Sequence, residues 1–194
     1  HPLIMKRFIP VLLFFWVSQV IAQNTDSLLQ VQYAEAVSKL SNGNYSGAAS
    51  QFTQLVNSGF SNKEVYAKRG VAYYQLKEFD KAKSDLDEAV KAHINTLEVI
   101  ECRGNAKYNL NDFDGAATDL EKAVSMGAKQ FDTFLNLANC KYRMDNFRDA
   151  ITYYDKAEGA GKPDAILFNN RGKAKFNLNN YKGALSDFDK ALEL

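Results

Sequence analysis

The chain of 194 residues is 46% apolar and 24% charged, a composition of folded globular proteins, and its three prolines and eleven glycines exclude collagen-like and proline-rich architectures. The 24 basic and 23 acidic residues leave a formal charge of +1 without any basic block, which excludes the electrostatic footprint of a nucleic-acid binder. Two histidines and two cysteines are too few for a His/Cys zinc site, so no metal or other cofactor is expected.

The first segment reads as an address. Met5, Lys6 and Arg7 form a short basic region, residues 8–17 an apolar run, and Val20 and Ala22 stand at the −3 and −1 places of a cut after Ala22. A spanning helix needs roughly 20 apolar residues. Here Pro10, Ser18, Gln19, Gln23 and Asn24 interrupt too early. A cleaved signal peptide over 1–22 is therefore expected, with an uncleaved anchor as the alternative. Residues 1–4 look like sequence upstream of a start at Met5, and 23–28 are read as a short linker. No cysteine follows the apolar run, which disfavours a lipid anchor. Cleavage removes Lys6 and Arg7 and no acid, so the remainder stays near neutral, with no electrostatic pull toward DNA or an anionic bilayer.

From residue 29 onward the chain repeats itself every 34 residues. Ala48, Ala82, Ala116, Ala150 and Ala184 keep that spacing without insertion or deletion. An aromatic lies three residues before each (Tyr45, Phe79, Phe113, Phe147, Tyr181), and a bulky residue four after (Phe52, Leu86, Leu120, Tyr154, Phe188). Small residues recur at Gly70, Gly104, Ala138 and Gly172, and again at Ala89, Ala123, Ala157 and Ala191. The repeats start at Leu29, Lys63, Leu97, Phe131 and Ala165, the last falling a few residues short.

Within each unit the apolar positions recur every three or four residues in two stretches, the pattern of two amphipathic helices. Turns are expected at Gly43-Asn44, Lys77-Glu78, Asn111-Asp112, Asp145-Asn146 and Asn179-Asn180, residues that mostly cap helices or accept a left-handed backbone. Between units come Ser58-Gly59, 93–96, Met126-Gly127 and 159–164, with Asp132 and Asp164 placed to cap the next helix. Small residues recur where helix axes approach. A larger side chain there costs roughly 1–3 kcal/mol by overpacking.

The period, the small residues and the aromatics together resemble the tetratricopeptide-repeat family over residues 29–194. The resemblance implies an all-α, right-handed α-solenoid of about five 34-residue helix-turn-helix repeats, whose first helices line a concave groove that binds peptides or proteins. The chain departs from the family in lacking the proline that often closes each unit, Pro163 falling one place late, and in carrying Glu35 and Ala36 where other repeats have Arg-Gly.

Arg69, Arg103 and Arg171 look like a basic site, yet Asp85, Asp119 and Asp187 stand sixteen residues after each. In the fourth repeat both columns change together, to Leu137 and Tyr153. Such paired change is what contact between the two helices of one repeat requires, so salt bridges within repeats are expected. Cys140 fills a column held elsewhere by Ala72, Ala106 and Ala174 and reads as a packed small residue. An oxidising compartment leaves a bridge to Cys102 conceivable. His93 lies in a turn with no nucleophile or carboxylate column beside it, and no catalytic set is assembled, so the protein is not expected to be an enzyme.

The groove candidates are what packing leaves over. Tyr74, Tyr108, Tyr142 and Phe176 form an aromatic ladder, one per repeat, with Asn105, Asn139 and Lys173 nearby and then Gln75, Asn109, Arg143 and Asn177. Either the ladder packs between repeats, or it offers flat platforms beside amides that can pair with the backbone of an extended peptide. One subtype of the family clamps a terminal carboxylate with cations and asparagines. Asn105 and Asn136 match that pattern, but Glu101, Ile166 and Asn170 occupy the cation positions, so the clamp is rejected.

The expected function is a non-catalytic interaction scaffold for protein or peptide segments, exported to the periplasm or envelope of a Gram-negative-type bacterium. The alternative is the non-catalytic arm of a longer enzyme or of an outer-membrane or peptidoglycan-associated protein. The last helix leaves Phe188, Leu192 and their neighbours on an open apolar face. That face favours a truncated chain, further repeats, docking onto another subunit, or self-association through the uncapped helix.

Overall fold

The computed structural model describes residues 5–161 and 163–194, with side chains at 19, 23, 25–161 and 163–194. The described residues form ten helices and no strand. They are α1 (Met5–Ser41), α2 (Tyr45–Asn57), α3 (Glu64–Gln75), α4 (Phe79–Lys91), α5 (Leu97–Asn109), α6 (Phe113–Ser125), α7 (Phe131–Arg143), α8 (Phe147–Ala160), α9 (Ala165–Asn177) and α10 (Tyr181–Glu193). Consecutive helices pair as hairpins, and each second helix packs on the first helix of the next hairpin. The five hairpins stack as a right-handed α-solenoid, with the odd-numbered helices adjoining one another along one side.

Every turn within a hairpin has its left-handed residue at the same register: Gly43, Lys77, Asn111, Asp145 and Asn179, with φ between 56° and 78°. The following residue caps the second helix in four of the five. Asn44, Asp112, Asn146 and Asn180 accept the backbone N–H three residues on, whereas Glu78 makes no such bond. Turns between hairpins follow the same logic with Gly59, His93 and Gly127 at positive φ. Thr96 and Asp164 cap α5 and α9. Asp132 does not fill the capping role expected of it. The cap position of α7 belongs to Gln130, which makes no side-chain cap, and Asp132 lies in the first helical turn, where its charge suits the helix dipole.

Two other expectations meet a longer helix. Residues 23–28, expected as a linker, are helical and continuous with α1, because no proline or glycine stands between Pro10 and Gly43 to break it. Gly159, expected in a turn, belongs to α8, and the chain leaves the helix at Gly161. Of the segment read as a signal peptide, residues 1–4 lie outside the described residues and the rest forms the beginning of α1.

The core is the set of repeated columns. Ala48, Ala82, Ala116 and Ala150 are buried, and Phe52, Leu86, Leu120 and Tyr154 are closed to solvent. The glycine column permits the closest approach: a Cβ on Gly70 would sit 2.7 Å from Leu86, on Gly104 2.9 Å from Leu120, and on Gly172 2.6 Å from Phe188. The arginines pair as their spacing implies. Arg69 Nε and Nη2 donate to Asp85 at 2.6 and 2.8 Å, Arg103 to Asp119 at 2.8 and 2.6 Å, and Arg171 to Asp187 at 2.9 and 2.8 Å. Lys107 and Lys175 add a second cation to Asp119 and Asp187, at 2.8 and 2.7 Å. Both cysteines are buried and unbridged. Burial pushes the Cys140 thiol up to about 12, in keeping with a packed apolar role.

Candidate functional site

The first helices α1, α3, α5, α7 and α9 line one side of the stack, and the residues of the expected ladder fall on that side. Each ring packs within its own repeat, against the aromatic that opens the second helix. Centroids lie 6.1 Å apart for Tyr74 on Phe79, 5.9 Å for Tyr108 on Phe113, 5.5 Å for Tyr142 on Phe147 and 5.3 Å for Phe176 on Tyr181. The three tyrosines are half-buried and Phe176 is 56% exposed. The ladder is thus held from behind by aromatic contacts worth about 1 kcal/mol each, and part of each ring stays open.

The amides are engaged with one another. Asn136 Nδ2 donates to Asn105 Oδ1 at 2.9 Å, and Asn170 Nδ2 to Asn139 Oδ1 at 3.2 Å, so equivalent side chains join α5 to α7 and α7 to α9. Asn139 also donates to the Tyr108 hydroxyl at 2.9 Å and accepts from Tyr154 at 2.6 Å. Asn139 therefore ties four helices and has little capacity left for a ligand. Asn109 and Asn177 bond back to the carbonyls of Asn105 and Lys173. Toward the C-terminal end the groove is basic. Exposed Arg143 stacks its guanidinium 5.3 Å from the Phe113 ring centroid, and Lys173 projects into solvent.

A hollow of about 520 Å³ opens between α3, α5 and α7, and its wall includes Tyr74, Gln75, Glu98, Glu101, Asn105 and Asp132. Lys68 pairs with Glu98 at 2.9 Å, and Glu101 accepts the Thr133 hydroxyl. Asp132 is exposed at the rim. Burial, with the charges of Asp132 and Glu101 among the further causes, pushes the Tyr74 hydroxyl up to about 12. Cys102, at the back of the hollow, is pushed up to about 12 by burial and then by Glu98 and Glu101. A neutral phenol beside a surplus of carboxylates suits a cationic or hydrogen-bond-donating guest. The acids of this hollow escaped sequence reasoning as site residues. Glu64, Glu98 and Asp132 sit at equivalent positions in the first turns of their helices, where acids are ordinary dipole partners, and only the recurrence at one groove edge could have signalled more.

Among the described residues, no group of three or more His, Cys, Asp or Glu side chains could hold a metal ion, and no helix is long and apolar enough to cross a membrane.

Repeated helical hairpins with an open trough of aromatic, amide and charged side chains define an interaction solenoid. A family model described as "Tetratricopeptide repeat" matches residues 33–95, 103–165 and 135–194, and the chain belongs to that family. Solved structures of MamA share the fold along most of both chains. MamA from strain AMB-1 superposes with a TM-score of 0.75 at 20% identity, over 87% of this chain and 92% of that one. MamA from strain MSR-1 gives 0.72 at 21%, over 84% and 95%. MamA from Desulfovibrio magneticus RS-1 gives 0.68 at 16%, over 86% and 94%. At such identities the likeness is one of fold. No curated protein matches the sequence.

Proposed function

We propose that the protein is a non-catalytic scaffold that holds an extended segment of a partner protein in the groove of its first helices. The observation that carries this reading is the hollow between α3, α5 and α7, where the half-open Tyr74 ring faces Glu98, Glu101 and Asp132. A basic side chain of the partner fits there, its stem on the ring and its charge among the carboxylates. Arg143 and Lys173 at the other end suit an acidic residue further along, which gives the bound segment a direction. Export by the basic-then-apolar leader, cleavage after Ala22 and residence in a Gram-negative-type envelope complete the proposal, supported by residues 5–22 of the sequence.

The test is binding to an array of immobilised peptides that vary in charge, by the full chain and by Asp132→Lys. Asp132 is exposed and supports no buried contact, so the variant should stay folded, losing only about 1 kcal/mol of helix-dipole interaction. Retention of peptides with a central lysine or arginine should drop about tenfold, equivalent to about 1.4 kcal/mol. Equal retention by both proteins, or no preference for basic peptides, would refute the reading.

A further inference from the structure

Asn105 lies in the wall of the hollow between α3, α5 and α7 and is only 4% exposed. Its Oδ1 accepts from Asn136 and its backbone carbonyl from Asn109, but its Nδ2 group donates to nothing among the described residues. A buried amide with N–H bonds open to a hollow calls for an acceptor from outside. Covering such a donor with a guest that cannot accept from it costs about 1–3 kcal/mol. The main chain of an extended segment carries an acceptor at every residue.

Beside the same groove the chain seats a lysine of its own. Lys68 of α3 crosses to α5 and meets Glu98 at 2.9 Å, both side chains partly exposed. Thirty-four residues on, the same two registers hold Cys102 and Asp132. The acid is kept and the lysine is not. Both residues stand in the wall of the hollow, Cys102 at 8% exposure and Asp132 exposed at the rim. Among the described residues Asp132 has no ion pair or hydrogen bond, and Glu101, tied to α7 through the Thr133 hydroxyl, has no cation. Where α3 sends out a lysine, α5 presents a short thiol, and a space of about 520 Å³ stays open.

We propose that Asp132 and Glu101 seat the cation of the partner's basic side chain, Cys102 leaves the room for it, and Asn105 donates to a main-chain carbonyl beside it. The guest cation takes at Asp132 the part that Lys68 takes at Glu98. This rests on the groove reading above and adds the specificity-determining residues. Glu98 is already served from within, so its share of the contact is small. A neutral side chain fails on the two acids, and an ammonium with no carbonyl near it fails on Asn105.

The probe is Nα-acetyl-lysine amide, titrated into the full chain and followed by the NMR signals of the Tyr74 ring and the Asn105 side-chain amide. Nα-acetyl-norleucine amide lacks the charge, and 1-aminopentane lacks the carbonyl. The lysine amide should shift both signals saturably, and each control should bind about tenfold more weakly. Lys68→Met replaces a partly exposed side chain and releases Glu98 to the hollow, so it should tighten binding about threefold. Cys102→Lys should supply the cation from within: its Tyr74 signal should match that of the saturated parent, and the probe should no longer bind. If neither the probe nor the basic peptides of the array bind the parent, the groove reading falls and this proposal with it. If the basic peptides bind but the probe does not, or the probe binds indifferently to Cys102→Lys and Lys68→Met, or 1-aminopentane binds equally well, this proposal alone is overturned. Should Cys102→Lys lose its helicity, Lys68→Met decides, and unchanged or weaker binding by that variant overturns the proposal.

Discussion

Replacing Arg103 by leucine should damage the third repeat, and replacing Asp119 by tyrosine as well should repair it. Arg103 holds Asp119 with two hydrogen bonds and Asp87 with a third, and the Asp119 side chain is only 4% exposed. Removing one partner of a buried ion pair costs about 3–5 kcal/mol, because the remaining charge is left without full compensation. Lys107 still touches Asp119 at 2.8 Å, and Lys83 touches Asp87 at 2.9 Å, which places Arg103→Leu near the lower end, at about 3 kcal/mol. For a protein of this size that is a fall of roughly 6–12 °C in melting temperature. The pair Arg103→Leu with Asp119→Tyr copies Leu137 and Tyr153 of the fourth repeat. It frees Lys107 to turn toward Asp87, as Lys141 turns to Glu121. The double variant should therefore recover to within about 1 kcal/mol of the parent, so that Asp119→Tyr restores about 2 kcal/mol in the Arg103→Leu background, and the coupling energy exceeds that by whatever Asp119→Tyr costs alone. Urea and thermal melts of the four proteins measure it. A coupling below about 0.5 kcal/mol, or a double variant no better than its weaker parent, would refute the account of why the two columns change together.

Two further outcomes follow from the turns and from the last ion cluster. His93 and Lys77 hold φ of 63° and 61°, at registers where other repeats place Gly59 and Gly127, or Gly43, Asn111, Asp145 and Asn179, so His93→Gly or Lys77→Gly should each raise stability by about 0.5–1 kcal/mol; an unchanged or lower melting temperature would count against strain at these turns. Burial alone would raise the pKa of the Asp187 carboxyl, but hydrogen bonds from Arg171 and Lys175 outweigh it and hold the group below the usual aspartate range. Its contribution is then full above about pH 4 and is lost as the pH falls from there through the depressed native value. Asp187→Asn should lower stability at neutral pH and flatten the acid-side slope of melting temperature; a slope equal to the parent's would assign acid sensitivity to other carboxylates.

What could be read from the sequence was whatever a fixed spacing repeats. Ala82, Leu86, Gly70 and the Arg69–Asp85 pair recur because each hairpin touches only its neighbours, so one set of contacts is copied every 34 residues. The same copying made the turn at Lys77 legible despite its unfavourable residue type. What escaped were features that join one repeat to the next through side chains of variable type. The third arm of Arg103, to Asp87, lies across a junction, and Asp87 on its own sequence stretch is one more surface acid. Asn105 and Asn139 read as free amides, but the neighbouring helix places Asn136 and Asn170 against them, thirty-one residues away in each case. Glu98 and Asp132 of the hollow were hidden for the opposite reason: at helix starts, a carboxylate already has a sufficient explanation.

This separation between repeated and unrepeated positions is also a guide to where function sits. Columns that pack cannot vary without an answering change, as Leu137 and Tyr153 show by changing together while the lysine of that helix, kept at 107, 141 and 175, turns to Glu121 instead. A column that varies without an answer is free to serve a partner. Along the groove the residues from Val71 through Asn105 and Asn139 to Lys173 occupy one register yet run from apolar to amide to cation. The register edging the groove at the helix starts runs from Glu64 through Glu98 and Asp132 to Ile166. The first of these is answered across the helices, since Val71 packs with Cys102 where Asn105 meets Asn136 and Asn139 meets Asn170; the second has no such matching column. The run from Glu64, Glu98 and Asp132 to Ile166 is thus the gradient on which the proposed orientation of a partner segment rests, its basic side chain toward the acids.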